Sequence, residues 1–157
     1  MKRSAKVFLC LALAWMVCIF CLSARDADES TDDSFFVSRV IGYVFVDDWS
    51  NLSSTEQQAF LEKIDHPVRK TAHATEYAIL GMLWFGALDG RSRRFLLAWL
   101  ISTLYAGTDE FHQLFISGRS GQFSDVCLDS FGTVVGLMII GCAVGAKQYR
   151  QRKGERP

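Results

Sequence analysis

The chain alternates between long apolar runs and charged links, a pattern that predicts a bundle of helices. Four apolar runs cover residues 7–24, 72–88, 95–116 and 126–146. Each run is about 17–22 residues long, the length that a helix needs to cross a hydrocarbon core of about 30 Å. The sequence therefore predicts an all-α membrane protein with four transmembrane helices.

The long segment between the first two runs, residues 25–66, predicts short surface elements. Residues 25–34 are polar and predict a loop. Residues 35–46 are apolar but too short to span, which favours a position at the membrane interface. Ser53 and Glu56 form a capping-box pattern that predicts a short helix over residues 54–64.

Pro67 follows this short helix and predicts the first turn of the second span. Proline is favoured at the first position of a helix, where its missing N–H costs nothing. We therefore expect the second span to begin near residue 67 as a separate helix.

Charge is unevenly distributed although the formal net charge is zero. Residues 1–6, the link 89–94 and the tail after residue 146 are rich in Lys and Arg, whereas residues 25–66 hold ten acids against three bases. The positive-inside rule places basic segments in the cytoplasm. This predicts a multi-pass protein of the cell membrane with both termini cytoplasmic. Topology explains the basic patches, so no nucleic-acid partner is expected.

Four segments follow from this pattern. Residues 1–24 form an N-terminal transmembrane anchor, and residues 25–66 form an acidic extracytoplasmic segment with short interfacial helices. Residues 67–146 form a core of three spans, and residues 147–157 a basic cytoplasmic tail. Residues 1–24 could instead be a cleaved signal peptide, but their apolar part is long for one, which favours a retained anchor.

One face of the second span collects ionisable side chains. Three- and four-residue spacing places on this face Arg69, Lys70, His73, Glu76 and Tyr77. Cations near a helix N-terminus are disfavoured by the helix dipole. An acidic partner or an anionic ligand is therefore expected nearby.

The third span carries a second polar face near its outer end. Asp109, His112 and Gln113 fall within about 100° of arc, with Glu110 at the edge and Phe111 directed away. A charged acid at the centre of a membrane helix costs roughly 2.5–3.5 kcal/mol. Asp109 should therefore face the bundle and find a partner.

The fourth span and the loop before it complete the pattern. The loop carries Arg119, and Asp125, Asp129, Gly132 and Gly136 fall within about 60° on one helix face. The two glycines allow close approach of another helix and indicate a helix–helix partner. Since three spans bring polar faces to the same side, a polar site is predicted near the extracytoplasmic face.

Other interpretations of these residues stay open. They could form a purely structural network, and Asp125 could simply begin a helix. His73-x-x-Glu76 and Asp109-x-x-His112 have the i,i+3 spacing of metal ligands. Nothing in the sequence requires a metal, so none is predicted, and no cofactor is indicated.

Three stretches of this region resemble the VanZ-like family. They read Arg69-Lys-x-Ala-His-x-x-Glu-Tyr-x-x-Leu-Gly81, Asp109-Glu-x-x-Gln113 and Gly118-Arg-Ser-x-x-x-x-Asp125, the last continuing to Asp129-x-x-Gly132. The resemblance covers about residues 69–137 and implies an integral membrane protein of several spans. The family's namesake is associated with resistance to the glycopeptide teicoplanin. The resemblance carries over positions but no catalytic roles.

Three functions are compatible with the sequence. In the first, an outward-facing polar site confers low-level glycopeptide resistance by contacting the drug, membrane lipid or a lipid-linked wall precursor. Its expected binding residues are Arg69, Lys70, Tyr77, Gln113, Arg119, Asp125 and Asp129.

In the second, the protein is an intramembrane enzyme acting on a lipid headgroup or lipid-linked envelope precursor. Its candidate acid–base residues are His73, Glu76, Asp109, Glu110 and His112. In the third, it is a structural partner subunit that packs through its glycine-rich fourth span.

Overall fold

The structure, a computed structural model, describes residues 2–154, apart from the side chains of residues 27–29, 32, 33 and 154, and its regular elements are all helical. Its five α-helices are α1 Arg3–Ser23, α2 Ala27–Phe45, α3 Ser54–Ala87, α4 Arg94–Gln113 and α5 Phe123–Gly154, with a short 3-10 turn at Trp49–Asn51. The prediction of an all-α fold is confirmed. Residues 155–157 of the expected tail lie outside the described residues, and residues 147–154 continue α5.

Apolar surface dominates the outside of the bundle. Within residues 2–154 two helical stretches, Arg3–Ser23 and Phe123–Lys153, are long and apolar enough to cross a membrane. Leu104, Phe131 and Met138 are each at least 60% exposed. Exposed apolar surface on this scale fits a lipid environment. Among the described helices α3 and α4 do not meet the same criteria, since they carry the ionisable residues of the predicted site.

Helix α2 corrects the loop predicted for residues 25–34. The helix begins at Ala27, and the Ser30 N–H donates to the Asp26 carbonyl at 3.1 Å. Aspartate is favoured immediately before a helix, which explains how a polar stretch can begin one. The apolar half of α2 leaves Phe36, Tyr43 and Phe45 at least 66% exposed.

Helix α3 confirms the predicted capping box but corrects the break at Pro67. The Ser53 hydroxyl accepts from the Glu56 N–H at 3.3 Å, and the Glu56 carboxylate accepts from the Ser53 N–H at 2.9 Å. The helix then runs through Pro67 without ending. A proline removes one N–H, whose acceptor would have been the carbonyl of exposed Lys63. Water can satisfy a carbonyl at such a position, so the helix continues.

Helix α3 lies at the centre and contacts all four other helices. Its closest neighbour is α5, because an added Cβ at Gly132 would lie 2.2 Å from the Ala74 carbonyl oxygen. An added Cβ at Gly136 would lie equally close to the carbonyl oxygen of Ala78. The close approach expected at these two glycines therefore occurs within the chain, and α3 occupies the face assigned to a helix–helix partner.

The two ends of the bundle differ in charge. At one end, the Lys2 ammonium pairs with Asp89 at 3.0 Å, so the start of α1 meets the link between α3 and α4. The second half of α5 reaches the same end, where a Cβ at Gly141 would contact the Phe95 ring. We call this the basic end. The opposite end, where α1 and α4 finish and α5 begins, is the site end.

Candidate functional site

Asp109 is the buried acid at the centre of the site end. The residue is 3% exposed, and the Ser23 hydroxyl donates to its Oδ2 at 2.8 Å. The Gln113 amide reaches the same hydroxyl at 3.5 Å. The hydroxyl of buried Tyr77 interacts with the same carboxylate. The expectation that Asp109 faces the bundle is confirmed, and its partner is a serine of α1.

Helix α3 presents the predicted polar face to this acid. Lys70 forms an ion pair with Asp125, which joins α3 to the first turn of α5. His73 Nδ1 lies 3.9 Å from Glu76 Oε2, too far for a hydrogen bond, and neither atom has another partner in the described part of the chain. Tyr77 is fully buried, one helical turn after His73 and two turns after Lys70.

Arg69 connects α3 to α2. Its guanidinium pairs with the Asp65 carboxylate at 2.6 Å, one turn earlier on the same helix. Asp65 also accepts a short hydrogen bond from the Ser34 hydroxyl of α2. This half-buried pair holds the polar half of α2 over the cluster, with the Arg69 side chain at its edge.

The loop between α4 and α5 folds back over the cluster. The Gln122 N–H donates to the Glu110 carboxylate at 2.9 Å. Gly118 has a φ of 72°, and a Cβ at Gly121 would lie 2.2 Å from the Glu110 carbonyl oxygen, so both positions suit glycine. The turn places Arg119 above the cavities of the site end.

Arg119 is a half-buried cation of the site end that forms no ion pair with another described residue. Its Nε has no hydrogen-bond partner within residues 2–154. Burial lowers the pKa of its guanidinium from the ordinary value, and neighbouring Arg69 acts in the same direction. The carboxylates of Asp109, Glu110 and Glu76 shift this pKa in the opposite direction, and a bound anion would do the same.

Asp129 lies beneath the cations. It is 1% exposed, and among the described residues neither carboxylate oxygen has a partner. It borders a cavity of about 40 Å³ together with Lys70, Glu110 and Asp125. That volume and polarity suit ordered water, which would satisfy the carboxylate.

Two larger cavities, each of about 180 Å³, meet above this layer. Both are lined by Ser30, Arg69, His73 and Arg119. The first also has an apolar wall, formed by Leu22, Val37, Val68 and Ala72. The second has a polar wall that includes Lys70, Gln113, Ser120 and Asp125. The site end therefore offers a cationic centre between an apolar side and a polar side.

Most of the residues singled out in the sequence converge here. Of the residues singled out in the sequence, those that line the three cavities are Arg69, Lys70, His73, Glu76, Glu110, Gln113, Arg119, Asp125 and Asp129. Asp109 and Tyr77 are buried and line none of these three cavities. His112 lies apart from them, because its ring stacks on Phe20 of α1 at 4.5 Å between centroids. Phe111 is 63% exposed, directed away as expected.

Sequence reasoning missed the polar residues that α1 and α2 contribute. Ser23 ends an apolar run, and Ser30 and Ser34 lie in a stretch interpreted as loop. Asp65 gave one usable signal, since it stands four residues before Arg69, a spacing that pairs charges on a helix.

No group of three or more His, Cys, Asp and Glu side chains within residues 2–154 is arranged to hold a metal ion. The arrangement suits recognition of an anion, because guanidinium groups pair with carboxylate or phosphate through two parallel hydrogen bonds.

These features define a class: small all-helical membrane proteins with a polar site enclosed between their helices. A sequence model of the family described as VanZ/LLP1 matches residues 8–144. The chain belongs to this family of membrane proteins, and the resemblance noted in the sequence is confirmed. The match includes α1, which the resemblance did not cover. No curated protein and no solved structure matches the chain.

Proposed function

We propose that the chain crosses the membrane four times, with both termini in the cytoplasm and the site end at the extracytoplasmic face. The support is the charge of the basic end, which gathers the start of α1, the 89–94 link and the second half of α5. The positive-inside rule assigns such segments to the cytoplasm. Helices α3 and α4 can then span because their charged residues face the bundle instead of lipid.

In this orientation we infer that the site end binds an anionic group of an envelope component, a lipid or a lipid-linked wall precursor. The observation that carries this inference is Arg119, a half-buried cation without an ion pair among the described residues, which lines both large cavities beside Arg69 and His73. The apolar wall of the first cavity adds a place for the hydrocarbon attached to such a headgroup.

Binding of this kind would lower sensitivity to glycopeptides such as teicoplanin. These drugs act outside the cytoplasm, so an extracytoplasmic site is positioned to hold or shield the precursor that they recognise. Resistance is then a consequence of occupancy by the precursor, and no covalent change to the drug is required.

The test is teicoplanin and vancomycin susceptibility of a sensitive Gram-positive host expressing the native chain, Arg119→Ala or Arg93→Gln, at matched membrane levels. Arg93 is exposed at the basic end and controls for loss of one positive charge. We expect the native chain and Arg93→Gln to raise teicoplanin tolerance and Arg119→Ala to lose the effect. Equal tolerance with native chain and Arg119→Ala, or no effect of the native chain, would contradict the proposal.

A second candidate function is supported by a different observation, the acid–base atoms left without partners around the cavities. Among the described side chains these include His73 Nδ1 and Glu76 Oε2. An intramembrane enzyme acting on a lipid headgroup needs such groups as general acid and base. Headgroup release from a lipid phosphate by the purified protein, lost in His73→Asn, would support this function, and its absence in the native chain would exclude it for that substrate.

A further inference from the structure

A notch at the basic end lies far from the site described above. It is a cavity of about 290 Å³ between the 89–94 link, the start of α4 and the second half of α5. Its polar lining includes Arg91, Ser92, Arg94 and Gln148. The shape and the charge of this notch together indicate the class of ligand that it can bind.

The charge around the notch is strongly positive. Residues 2–8, 88–95 and 145–154 contain ten Lys and Arg against a single acid, Asp89. The Lys2 ammonium holds the pKa of Asp89 below its usual range, and Arg94 contributes in the same direction. Asp89 is thus neutralised by partners at 3.0 Å and 3.1 Å. The remaining cations are available to an anion.

Arg94 and Arg91 have different roles at the notch. Arg94 is fixed, since it pairs with Asp89 and its guanidinium lies 4.0 Å from the centre of the Phe85 ring. Arg91 is exposed and forms no ion pair with another residue in the described part of the chain. An incoming phosphate would therefore meet one exposed guanidinium without an ion pair beside one held in place.

The floor of the notch is apolar and open. Phe85 and Phe95 pack edge to face at 5.3 Å between ring centroids, and Val144 continues this surface. A Cβ added at Gly145 would meet no atom within 4 Å. The missing side chain at Gly145 therefore leaves the notch room for part of a ligand.

We propose that this notch binds the headgroup of an anionic phospholipid. Arginine pairs with phosphate through two parallel hydrogen bonds, and the aromatic and aliphatic floor accommodates the glycerol and the first acyl carbons. If the basic end is cytoplasmic, the negative surface of that leaflet supplies such lipids. The proposal depends on residues of the basic end alone and is independent of the function proposed for the site end.

The experiment is native mass spectrometry of the full chain in detergent, titrated with phosphatidylglycerol or phosphatidylcholine. Gly145→Leu adds a side chain to the notch at a position where a Cβ meets no atom within 4 Å. Ala146→Leu adds an isobutyl side chain at an exposed neighbouring position that does not line the notch. Arg91→Gln removes a lining cation, and Arg93→Gln removes the same charge outside the lining.

We expect the native chain to retain phosphatidylglycerol about tenfold better than phosphatidylcholine, as one or two charge-assisted contacts allow. Ala146→Leu and Arg93→Gln should keep this preference, whereas Gly145→Leu and Arg91→Gln should lose most of it. The proposal is overturned if the native chain shows no preference, or if each notch variant matches its control. Displacement of the lipid by millimolar inorganic phosphate would also overturn it, because the notch would then hold a free anion.

Discussion

Asp109 shows how one residue shapes the site end. Asp109 is 3% exposed, and a buried carboxylate without hydrogen bonds destabilises the folded protein. In this fold the Ser23 hydroxyl donates a hydrogen bond to it. The bond joins α4 to the end of α1. A residue predicted as part of the site is therefore also part of what holds the bundle together.

Ser23→Ala should reduce stability while leaving Arg69, Lys70 and Arg119 in place. The change leaves a buried acceptor without its donor, which costs about 1–3 kcal/mol. The thermal midpoint of the purified protein in detergent should fall, while Ser117→Ala, at an exposed loop position, should leave it unchanged. An unaltered midpoint in Ser23→Ala would show that the bond contributes little.

Asp109→Asn should separate stability from function. The amide keeps the shape of the carboxyl and can still accept a hydrogen bond from Ser23, so membrane abundance should stay near normal. The negative charge among the cations is lost, and we expect teicoplanin tolerance to disappear. The readout is susceptibility at matched membrane levels, with Asp89→Asn at the basic end as the control for loss of one acid. Full tolerance in Asp109→Asn would remove Asp109 from the site.

The packing of α5 on α3 is the feature that matters most among the helices. Backbone approaches backbone at Gly132 and Gly136, so any side chain there must separate the two helices. Lys70 and Asp125 lie at the end of this interface and depend on its geometry for their ion pair.

Gly132→Leu should therefore abolish folding or sharply lower abundance in the membrane. Overpacking of a close interface typically costs 1–3 kcal/mol or more. Gly107→Ala on α4 is the matched control, because an added Cβ there meets nothing within 4 Å and alanine favours the helix. Normal abundance of Gly132→Leu, measured by quantitative blotting of membranes, would contradict the interface described here.

Helices were predictable from the sequence where a single signal defined them. The apolar runs located α1, α4 and α5, and the Ser53–Glu56 pattern located the start of α3. The beginning of α2 was not predictable, because its first residues are polar and show no helical apolar pattern. The helix break predicted at Pro67 was wrong for a related reason, because the effect of a proline depends on whether the carbonyl four residues earlier can reach water.

The residues that α3 contributes to the candidate site were predictable from the sequence, whereas the serines contributed by α1 and α2 were not. Helical spacing brought together Arg69, His73 and Glu76, and loop charge indicated that the other spans meet them on one side. Ser23 and Ser34 carry no such pattern, because their importance comes from contacts with Asp109 and Asp65 across the fold. His112 had the right spacing, but Phe20 holds its ring away from the cavities.

At the scale of the whole molecule, the bundle separates two kinds of charge. The basic end holds nearly all its charges on the surface, whereas the site end buries acids and cations together beneath a folded-back loop. Helix α1 belongs to this arrangement, because Trp15 donates to the Glu76 carbonyl at 2.9 Å and Tyr105 donates to the Met16 carbonyl at 2.6 Å. Retention of residues 1–24 as an anchor stays a prediction.

The most direct test of an extracytoplasmic site is cysteine labelling of intact cells with a membrane-impermeant maleimide. Ser50 precedes α3 and Ser92 lies in the 89–94 link, and both are exposed. Each is changed to cysteine in a chain whose five native cysteines have been replaced. We predict that Ser50→Cys is labelled in intact cells and Ser92→Cys only after permeabilisation. Labelling of Ser92→Cys alone in intact cells would place the site end in the cytoplasm and contradict the proposed function.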